Sequence, residues 1–382
     1  MPWNQTDPMN ERTGFIDTYL AGVYTMSELC SRFGVSRKTG YKWLNRFLDE
    51  GRAGLADRSR APQSCPHRTA PEIERLIVAK RKEKPSWGAP MIVDRLRTAH
   101  PDLKLPAYST AGDILKRHGL IAGRRRRRGK AKPERVPLQT TACNQVWGLD
   151  YKGQFLLGNA QYCYPLTATD QHSRLVVACQ AHTAISGQHT RVALEAAFHE
   201  YGLPMAIRTD NGTPFVTHGT LGLSKLGVWW IKLGIVHQRI EPAKPWQNPR
   251  HERMHRTLKA ETTRPPEANH KAQQRRFDAF VYDFNHHRPH QGIGRVPPAS
   301  AYTRSTREMP THLAEPQYPG HFEVRRVSNH GVFSFKGKRM TLSTALAHED
   351  IALEQIDDDI WSIFYYDRLL ARLDEPTSKI IP

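Results

Sequence analysis

Three stretches decide the fold of this 382-residue sequence: WGLDYKG at 147–153, TDNGTPF at 209–215 and QNPRHERMHRTLKAE at 247–261. Each contains a carboxylate at the edge of a predicted element. Asp150 lies in the first strand of a predicted mixed sheet, and Asp210 ends a neighbouring strand. Glu252 lies in the first turns of a predicted helix, which starts at Pro249 after the N-cap Asn248 and can pack over the strand ends. This order of elements can bring the three carboxylates together.

Grouped carboxylates of this kind predict a site for Mg²⁺ or Mn²⁺. These hard cations prefer a few carboxylate oxygens together with water and substrate phosphate oxygens. Two such ions about 3.5 to 4 Å apart stabilise both the attacking and the leaving oxygen of a displacement at phosphorus. The residue types therefore indicate phosphodiester chemistry.

Together with YDFNHHRPHQGIGRVPPASAY at residues 282–302, these stretches resemble the integrase-type core of bacterial insertion-sequence transposases over roughly residues 138–305. The resemblance implies an α/β RNase H-like fold with a mixed five-stranded sheet. It also implies a DDE site in which Asp150, Asp210 and Glu252 are the catalytic and metal-binding residues, with two Mg²⁺ or Mn²⁺ ions in each site. The segment between the last two acids is longer than is usual in the family.

The predicted elements of this core, assigned to residues 139–305, follow the order βββαβαβα. Short runs rich in β-formers at 146–155, 162–167 and 174–179 predict three antiparallel strands. An amphipathic helix at 188–201 and strands at 206–209 and 235–240 follow, and then the helix that carries Glu252. Arg256 and Lys259 come four and seven residues after Glu252, so we expect them on its helical face, where they can hold a DNA strand or be merely solvated.

A large positive charge indicates the class of partner. The chain has 56 Lys and Arg against 37 Asp and Glu, a formal net charge of +19, and such an excess favours binding to a polyanion. Residues 123–138 form a predicted basic linker that contains five consecutive arginines: Arg124, Arg125, Arg126, Arg127 and Arg128. Like charges this dense do not fold alone, so we expect the run to contact DNA phosphates or to act as a solubilising hinge.

Two all-α domains are predicted before the linker. Residues 1–55 show a helix-turn-helix pattern, with Ser27 and Ser36 as predicted N-caps and Gly34 in the turn. The start of the second helix of such a motif meets the major groove, so we expect Arg37, Lys38 and Lys42 to contact DNA. A small helical bundle with solvated lysines is the alternative. Residues 56–122 predict a second helical DNA-binding domain.

The C-terminal region and the cysteines complete the sequence-based assignment. Strand signals with tight turns over residues 317–376 predict a small β-barrel, with a β-sandwich as the alternative. Five cysteines without CxxC spacing argue against a disulfide framework and a zinc ribbon. With no signal peptide and no long apolar run, the pattern is typical of a cytoplasmic, nucleoid-associated bacterial protein without membrane contact.

Two features offer competing interpretations. Asp170 is a fourth candidate carboxylate, but its position between two strands favours a turn cap. Residues 251–255 spell HExxH, the zinc-protease motif, in which two histidines on one helix face bind zinc and the glutamate is the base. A zinc protease also needs a third zinc ligand and a peptide-binding cleft, and a net charge of +19 indicates neither. The sequence therefore favours the transposase interpretation over a zinc protease.

The sequence as a whole predicts a DNA transposase that binds the terminal inverted repeats of its element and joins them to target DNA. The expected partners are double-stranded DNA, as element ends and as target, and further copies of the chain, at least a dimer on DNA. A DNA-binding regulator that keeps the fold but lacks catalysis is the alternative from a different functional class.

Overall fold

The computed structural model describes residues 7–59, 68–121, 140–217, 219, 221–241 and 249–381. They fall into two compact units, Met1–Arg68 and Thr69–Pro382. The basic linker and its five arginines, as well as the predicted N-cap Asn248, lie outside the described residues. None of the helices in the described ranges has the length and apolar character needed to cross a bilayer.

The first unit contains three helices, α1 (Pro8–Leu20), α2 (Met26–Arg32) and α3 (Arg37–Glu50), packed around a core that includes Phe15, Leu29 and Leu44. The predicted cap Ser36 is confirmed, since its side chain accepts from the Thr39 N–H. The predicted cap Ser27 is wrong. Thr25 takes that role because it forms a reciprocal capping box with Glu28, which starts the helix at Met26.

A second group of helices opens the larger unit: α4 (Pro71–Glu83), α5 (Ala89–Ala99) and α6 (Tyr108–Arg117). Their apolar faces bury Ile77, Trp87 and Ile92 in a core of their own. Polar contacts join this group to the rest of the unit. Lys84 Nζ lies 2.7 Å from an Asp283 carboxylate oxygen, and Asp94 pairs with Arg295 at 3.3 Å.

The central sheet consists of β1 (Val146–Tyr151), β2 (Phe155–Leu156), β3 (Tyr162–Asp170), β4 (Val176–His182), β5 (Ala206–Thr209) and β6 (Val236–Arg239). β3 pairs antiparallel with β1, β2 and β4, whereas β1, β5 and β6 are parallel to one another. The mixed sheet predicted from sequence is therefore observed. The predicted first strand is interrupted, so the sheet has six strands rather than five.

Four helices cover this sheet: α7 (Gly187–Tyr201), α8 (Lys225–Lys232), α9 (Pro249–Thr262) and α10 (His270–His286). One face of the sheet packs with α7 and α8 around Trp147, Phe198 and Trp230. The other face packs with α9 and α10 through Met254, Leu258, Phe277 and neighbouring apolar residues. Helix α9 therefore lies directly against the sheet.

The C-terminal strands are β7 (Glu323–Arg326), β8 (Val332–Phe335), β9 (Lys338–Thr341), β10 (Asp350–Asp357), β11 (Ile360–Tyr365), β12 (Arg368–Asp374) and β13 (Lys379–Ile381). The predicted closed barrel is wrong. Five strands form an open sheet in the order β13-β12-β11-β10-β7, and β8 pairs only with β9. The β8–β9 hairpin and the five-stranded sheet share one apolar core, which also includes Val228 of α8. The apolar face of the sheet is therefore buried although the sheet does not close into a barrel.

Candidate active site

The first two candidate carboxylates end adjacent parallel strands. The β1–β5 register pairs Gly148 with Arg208, and Asp150 within β1 and Asp210 directly after β5 each follow that pair by two residues. Neighbouring strands are about 4.8 Å apart, which places the two residues side by side at the carboxyl end of the sheet. The Gly212 N–H donates to Asp210 Oδ1 at 3.0 Å, so the turn after β5 holds that side chain.

Two histidines hold helix α9 against the strands. His251 Nε2 and Nδ1 form hydrogen bonds with the hydroxyls of Thr167 and Thr169, both at 2.8 Å. His255 Nε2 lies 2.6 Å from the same Thr167 hydroxyl. Because Thr167 is the β3 partner of Asp150, these bonds position α9, and hence Glu252, beside Asp150.

The electrostatics of Asp150 indicate that the three carboxylates interact. Burial raises the pKa of Asp150 to about 7, and the negative charges of Asp210 and Glu252 contribute to the same shift, whereas Lys152 opposes it. Glu252 itself is exposed on α9. The arrangement concentrates negative charge where β1, β5 and α9 meet.

The HExxH histidines do not form an open zinc site. Ligand atoms of Asp150, His251 and His255 lie within 4.8 Å of one another, but both His251 nitrogens are already bonded to threonine hydroxyls. Burial lowers the pKa of His251 to about 3 and lowers that of His255 as well, so both rings are neutral. Of the four ring nitrogens of His251 and His255, only His255 Nδ1 lacks a hydrogen bond. It lies 3.7 Å from Asp150 Oδ2. This geometry argues against the zinc-protease alternative, because a zinc site requires at least three protein ligands.

Asp170 is a turn cap, as expected. Its carboxylate accepts from the Ser173 N–H and hydroxyl at 2.7 Å and from the Asn144 N–H at 2.9 Å. It is almost fully buried, and these donors occupy both oxygens. Asp170 therefore has a structural role. It does not belong to the group of Asp150, Asp210 and Glu252, which we call the acidic cluster.

The predicted DNA-contacting residues lie in different places. Lys259 and Lys152 line a cavity of about 390 Å³ next to the β1 end, whereas Arg256 lines a larger cavity beside α9. Arg37, Lys38 and Lys42 are exposed at the start of α3 in the first unit.

Sequence reasoning missed the Thr167 and Thr169 partners of the two histidines. The spacing of His251 and His255 already placed both on one helix face, but nothing in the sequence identified that face as buried against β3.

Comparison with known families agrees with this geometry. Profiles described as "Integrase core domain" match residues 140–245 and 233–298. Residues 11–63 match a "Helix-turn-helix domain", and residues 39–115 match a "Homeodomain-like domain". Residues 140–298 are thus similar to integrase core domains.

Proteins of bacterial insertion elements are similar to about half of the chain. The insertion element IS476 uncharacterized 39.2 kDa protein of Xanthomonas euvesicatoria is 30% identical over 203 residues, which is 52% of this chain and 56% of the relative. The IS407 uncharacterized 31.7 kDa protein of Burkholderia multivorans is 29% identical over 201 residues, which is 52% of this chain and 70% of the relative. The resemblance to insertion-element proteins is thus confirmed, and the chain spans little more than half the length of the first of them.

Solved structures of viral integrases show remote similarity to this chain. The HTLV-2 integrase catalytic core domain in complex with magnesium matches at 13% identity with a TM-score of 0.34, covering 43% of this chain and all of that one. A simian T-cell lymphotropic virus intasome chain matches at 15% identity with a TM-score of 0.39, covering 78% of this chain and 97% of that one.

Proposed function

We propose that this protein is a DNA transposase that binds the terminal inverted repeats of an insertion element, cleaves a strand at each end and joins the ends to target DNA. The observation that carries the proposal is the β1–β5 register, which aligns Asp150 with Asp210, together with the histidine bonds that fix Glu252 on α9 beside them. The integrase core match and the relatives encoded by insertion elements support it.

The donor set fits divalent cations. The charges of Asp210 and Glu252 contribute to raising the pKa of Asp150 to about 7, and a bound cation would offset this repulsion. Oxygen ligands of this type suit Mg²⁺ or Mn²⁺, and we assign Asp150, Asp210 and Glu252 as the residues that hold two ions. Such ions supply charge stabilisation to both the attacking and the leaving oxygen at phosphorus.

The chain's own residues have distinct parts in this proposal. His251 and His255 keep α9 against β3, so Glu252 stays in place relative to the two aspartates. Lys152 and Lys259 line the cavity next to the β1 end and contact the phosphates that flank the cleaved bond. No covalent intermediate with the protein is required, because water and then a DNA 3′-hydroxyl serve as nucleophiles.

DNA recognition is assigned to the N-terminal region. Arg37, Lys38 and Lys42 are exposed at the start of the second helix of the helix-turn-helix pattern, the position that reads the major groove. The arginine run at 124–128 and Arg256 add contacts with the phosphate backbone. Because two element ends must be joined in one event, we expect the active form to be at least a dimer on DNA.

Strand cleavage tests the acid assignment. Purified protein is incubated with duplex DNA that spans an element end, with Mg²⁺, Mn²⁺ or Zn²⁺, and site-specific nicks are scored. We expect Asp150→Asn, Asp210→Asn and Glu252→Gln to lower cleavage at least ~100-fold, because the charge stabilisation that these ligands support is worth several kcal/mol.

The control is Asp278→Asn, which removes an exposed aspartate on α10 and should leave cleavage unchanged. Gel-shift affinity should change little in all four variants. Persistent cleavage by the triad variants would overturn the site. Binding without cleavage by the wild-type protein would instead support the catalytically inactive regulator.

A further inference from the structure

A cavity of about 640 Å³ lies beside α9, separate from the cavity that contains Lys152 and Lys259. Six arginines from separate segments line it: Arg174, Arg250, Arg253, Arg256, Arg288 and Arg295. They come from the β3–β4 turn, from α9 and from the segment after α10. The acidic cluster does not account for this concentration of positive charge.

Only two of these arginines have a carboxylate partner among the described residues. Arg288 pairs with Glu261 at 2.8 Å, and Arg295 pairs with Asp94 at 3.3 Å. The other four, Arg174, Arg250, Arg253 and Arg256, form no ion pair within that part of the chain. The cavity lining also includes the carboxylates of Asp94 and Asp170, which together offset two of the six arginine charges. The cavity therefore has unbalanced positive charge.

Two of the four unpaired guanidinium groups, those of Arg174 and Arg250, are partly buried, whereas Arg253 and Arg256 are exposed. Arg250 Nη1 donates to the Gln171 carbonyl and to the Thr140 hydroxyl. Arg174 is half-buried, and its Nε is buried without a hydrogen-bond partner. Burial and the charges of Arg250 and Arg253 lower the pKa of Arg174. These groups are brought together at an electrostatic cost that an anion would offset.

Gly292 allows Arg174 to occupy this position. A Cβ at Gly292 would lie 2.2 Å from Arg174 Nη2, so any larger residue there would displace the guanidinium. The glycine and the arginine come from different segments of the core. The absence of a side chain at Gly292 therefore leaves the space that the Arg174 guanidinium occupies in the cavity wall.

We propose that this cavity binds a backbone phosphate of the DNA that enters the acidic cluster. The inference rests on the proposed function. Arginine forks match phosphate oxygens in bidentate geometry, and four of them without carboxylate partners suit an anion that carries several acceptors. Helix α9 carries Glu252 and also Arg253 and Arg256, and a helix is only about 10 Å across, so one DNA molecule can reach both sites.

Gly292→Ala tests the cavity without changing the charge of the protein. Binding of the full chain to a short duplex is measured by fluorescence anisotropy between about 50 and 200 mM salt. We expect affinity to fall about three- to tenfold, and the slope of log affinity against log salt to flatten by about 1, the value for one lost phosphate contact. Arg253→Gln should have the same effect.

Arg275→Gln is the matched control, since it removes an exposed arginine on α10 that lies away from the cavity. It should keep the wild-type affinity and slope. Melting curves confirm that each variant is folded, and Arg253→Lys, which keeps the charge, should restore most of the slope.

Three results would overturn the proposal in distinguishable ways. If wild-type protein binds DNA and both cavity variants match it, the cavity is not a phosphate site although the proposed function stands. If wild-type protein binds no duplex, the proposed function and this inference fail together. If polyglutamate rather than DNA stabilises the wild type, and Gly292→Ala removes that effect, the occupant is an acidic peptide.

Discussion

At the scale of single residues, Asp150 combines a fixed position on the central sheet with a raised side-chain pKa. It lies on β1, its backbone carbonyl accepts from the Thr167 hydroxyl at 3.2 Å, and its side chain faces His255. Burial and two neighbouring carboxylates raise its pKa to about 7. An acid with a raised pKa in the folded state keeps its proton at pH values where the unfolded chain has lost it. Without a bound cation, its contribution to stability therefore decreases as pH rises from about 4 to about 7.

Asp150→Asn should remove this penalty. In EDTA at pH 8 we expect the variant to melt a few degrees above the wild type, since ~1 kcal/mol shifts Tm by roughly 2–4 °C in a domain of this size. At pH 4 the two proteins should melt at about the same temperature. Thermal melts by circular dichroism at both pH values measure this, and equal melting temperatures at pH 8 would show that Asp150 is not under electrostatic strain.

The choice of Asp150, Asp210 and Glu252 rests on the resemblance of the motifs around them to those of insertion-sequence transposases, and it stays a prediction. The sequence could not identify the roles of His251 and His255. The HExxH pattern is the same whether the histidines bind a metal or hydrogen-bond to a neighbouring strand, and only the register of β3 places Thr167 and Thr169 opposite them.

At the scale of elements, α9 determines whether the site is assembled. Its inner face combines apolar residues such as Met254 and Leu258 with the two buried histidines. The helix therefore packs on the sheet through directional hydrogen bonds as well as apolar contact. Directional bonds restrict how the helix can slide or rotate on β3, and the role that we propose for Glu252 as a metal ligand requires this restriction.

His251→Ala should be strongly destabilising. The substitution leaves the Thr169 hydroxyl with only the longer contact from Gln171 Nε2 at 3.4 Å, weakens the bonding at Thr167 and opens a cavity, at a combined cost of about 2–4 kcal/mol. Urea denaturation measures the change. His286→Ala, at an exposed histidine on α10, is the control and should shift the midpoint little. Equal midpoints for the two variants would contradict the anchoring role of His251.

Element boundaries show where sequence reasoning stops. Helix α4 begins at Pro71 and ends at Glu83, two residues before Pro85, so prolines in the sequence mark both of its limits. The predicted C-terminal barrel was wrong, because alternating strands specify which face is buried but not whether the sheet closes. An open sheet that packs against a hairpin buries the same alternate residues of each strand as a barrel would.

At the scale of the whole molecule, the chain divides after Arg68. Each unit has its own apolar core, with Phe15 and Leu29 in the first and Trp147 and Phe198 in the sheet of the second. The second helical group, expected from sequence within a domain at 56–122, packs in the larger unit. Recognition by the first three helices and catalysis by the core are thus assigned to units with separate cores.

A fragment that begins at Thr69 should fold. We expect its melting temperature to lie within a few degrees of the main transition of the full chain, because it keeps the sheet and its helices intact. It should bind duplex DNA of any sequence but discriminate element ends at least ~10-fold less well, since it lacks Arg37, Lys38 and Lys42. Anisotropy with end and scrambled duplexes measures this, and undiminished discrimination would place recognition in the larger unit.

The junction between α8 and the C-terminal sheet has a mechanical consequence. Val228 is buried in the core of that sheet, and Lys232 Nζ lies 2.6 Å from a Glu349 carboxylate oxygen. The same helix packs on the central sheet through Trp229 and Trp230. A ligand bound on the C-terminal strands would therefore be kept at a constant distance from the central sheet and, under the proposed function, this region would act as a spacer that sets where along a DNA molecule the cut is made.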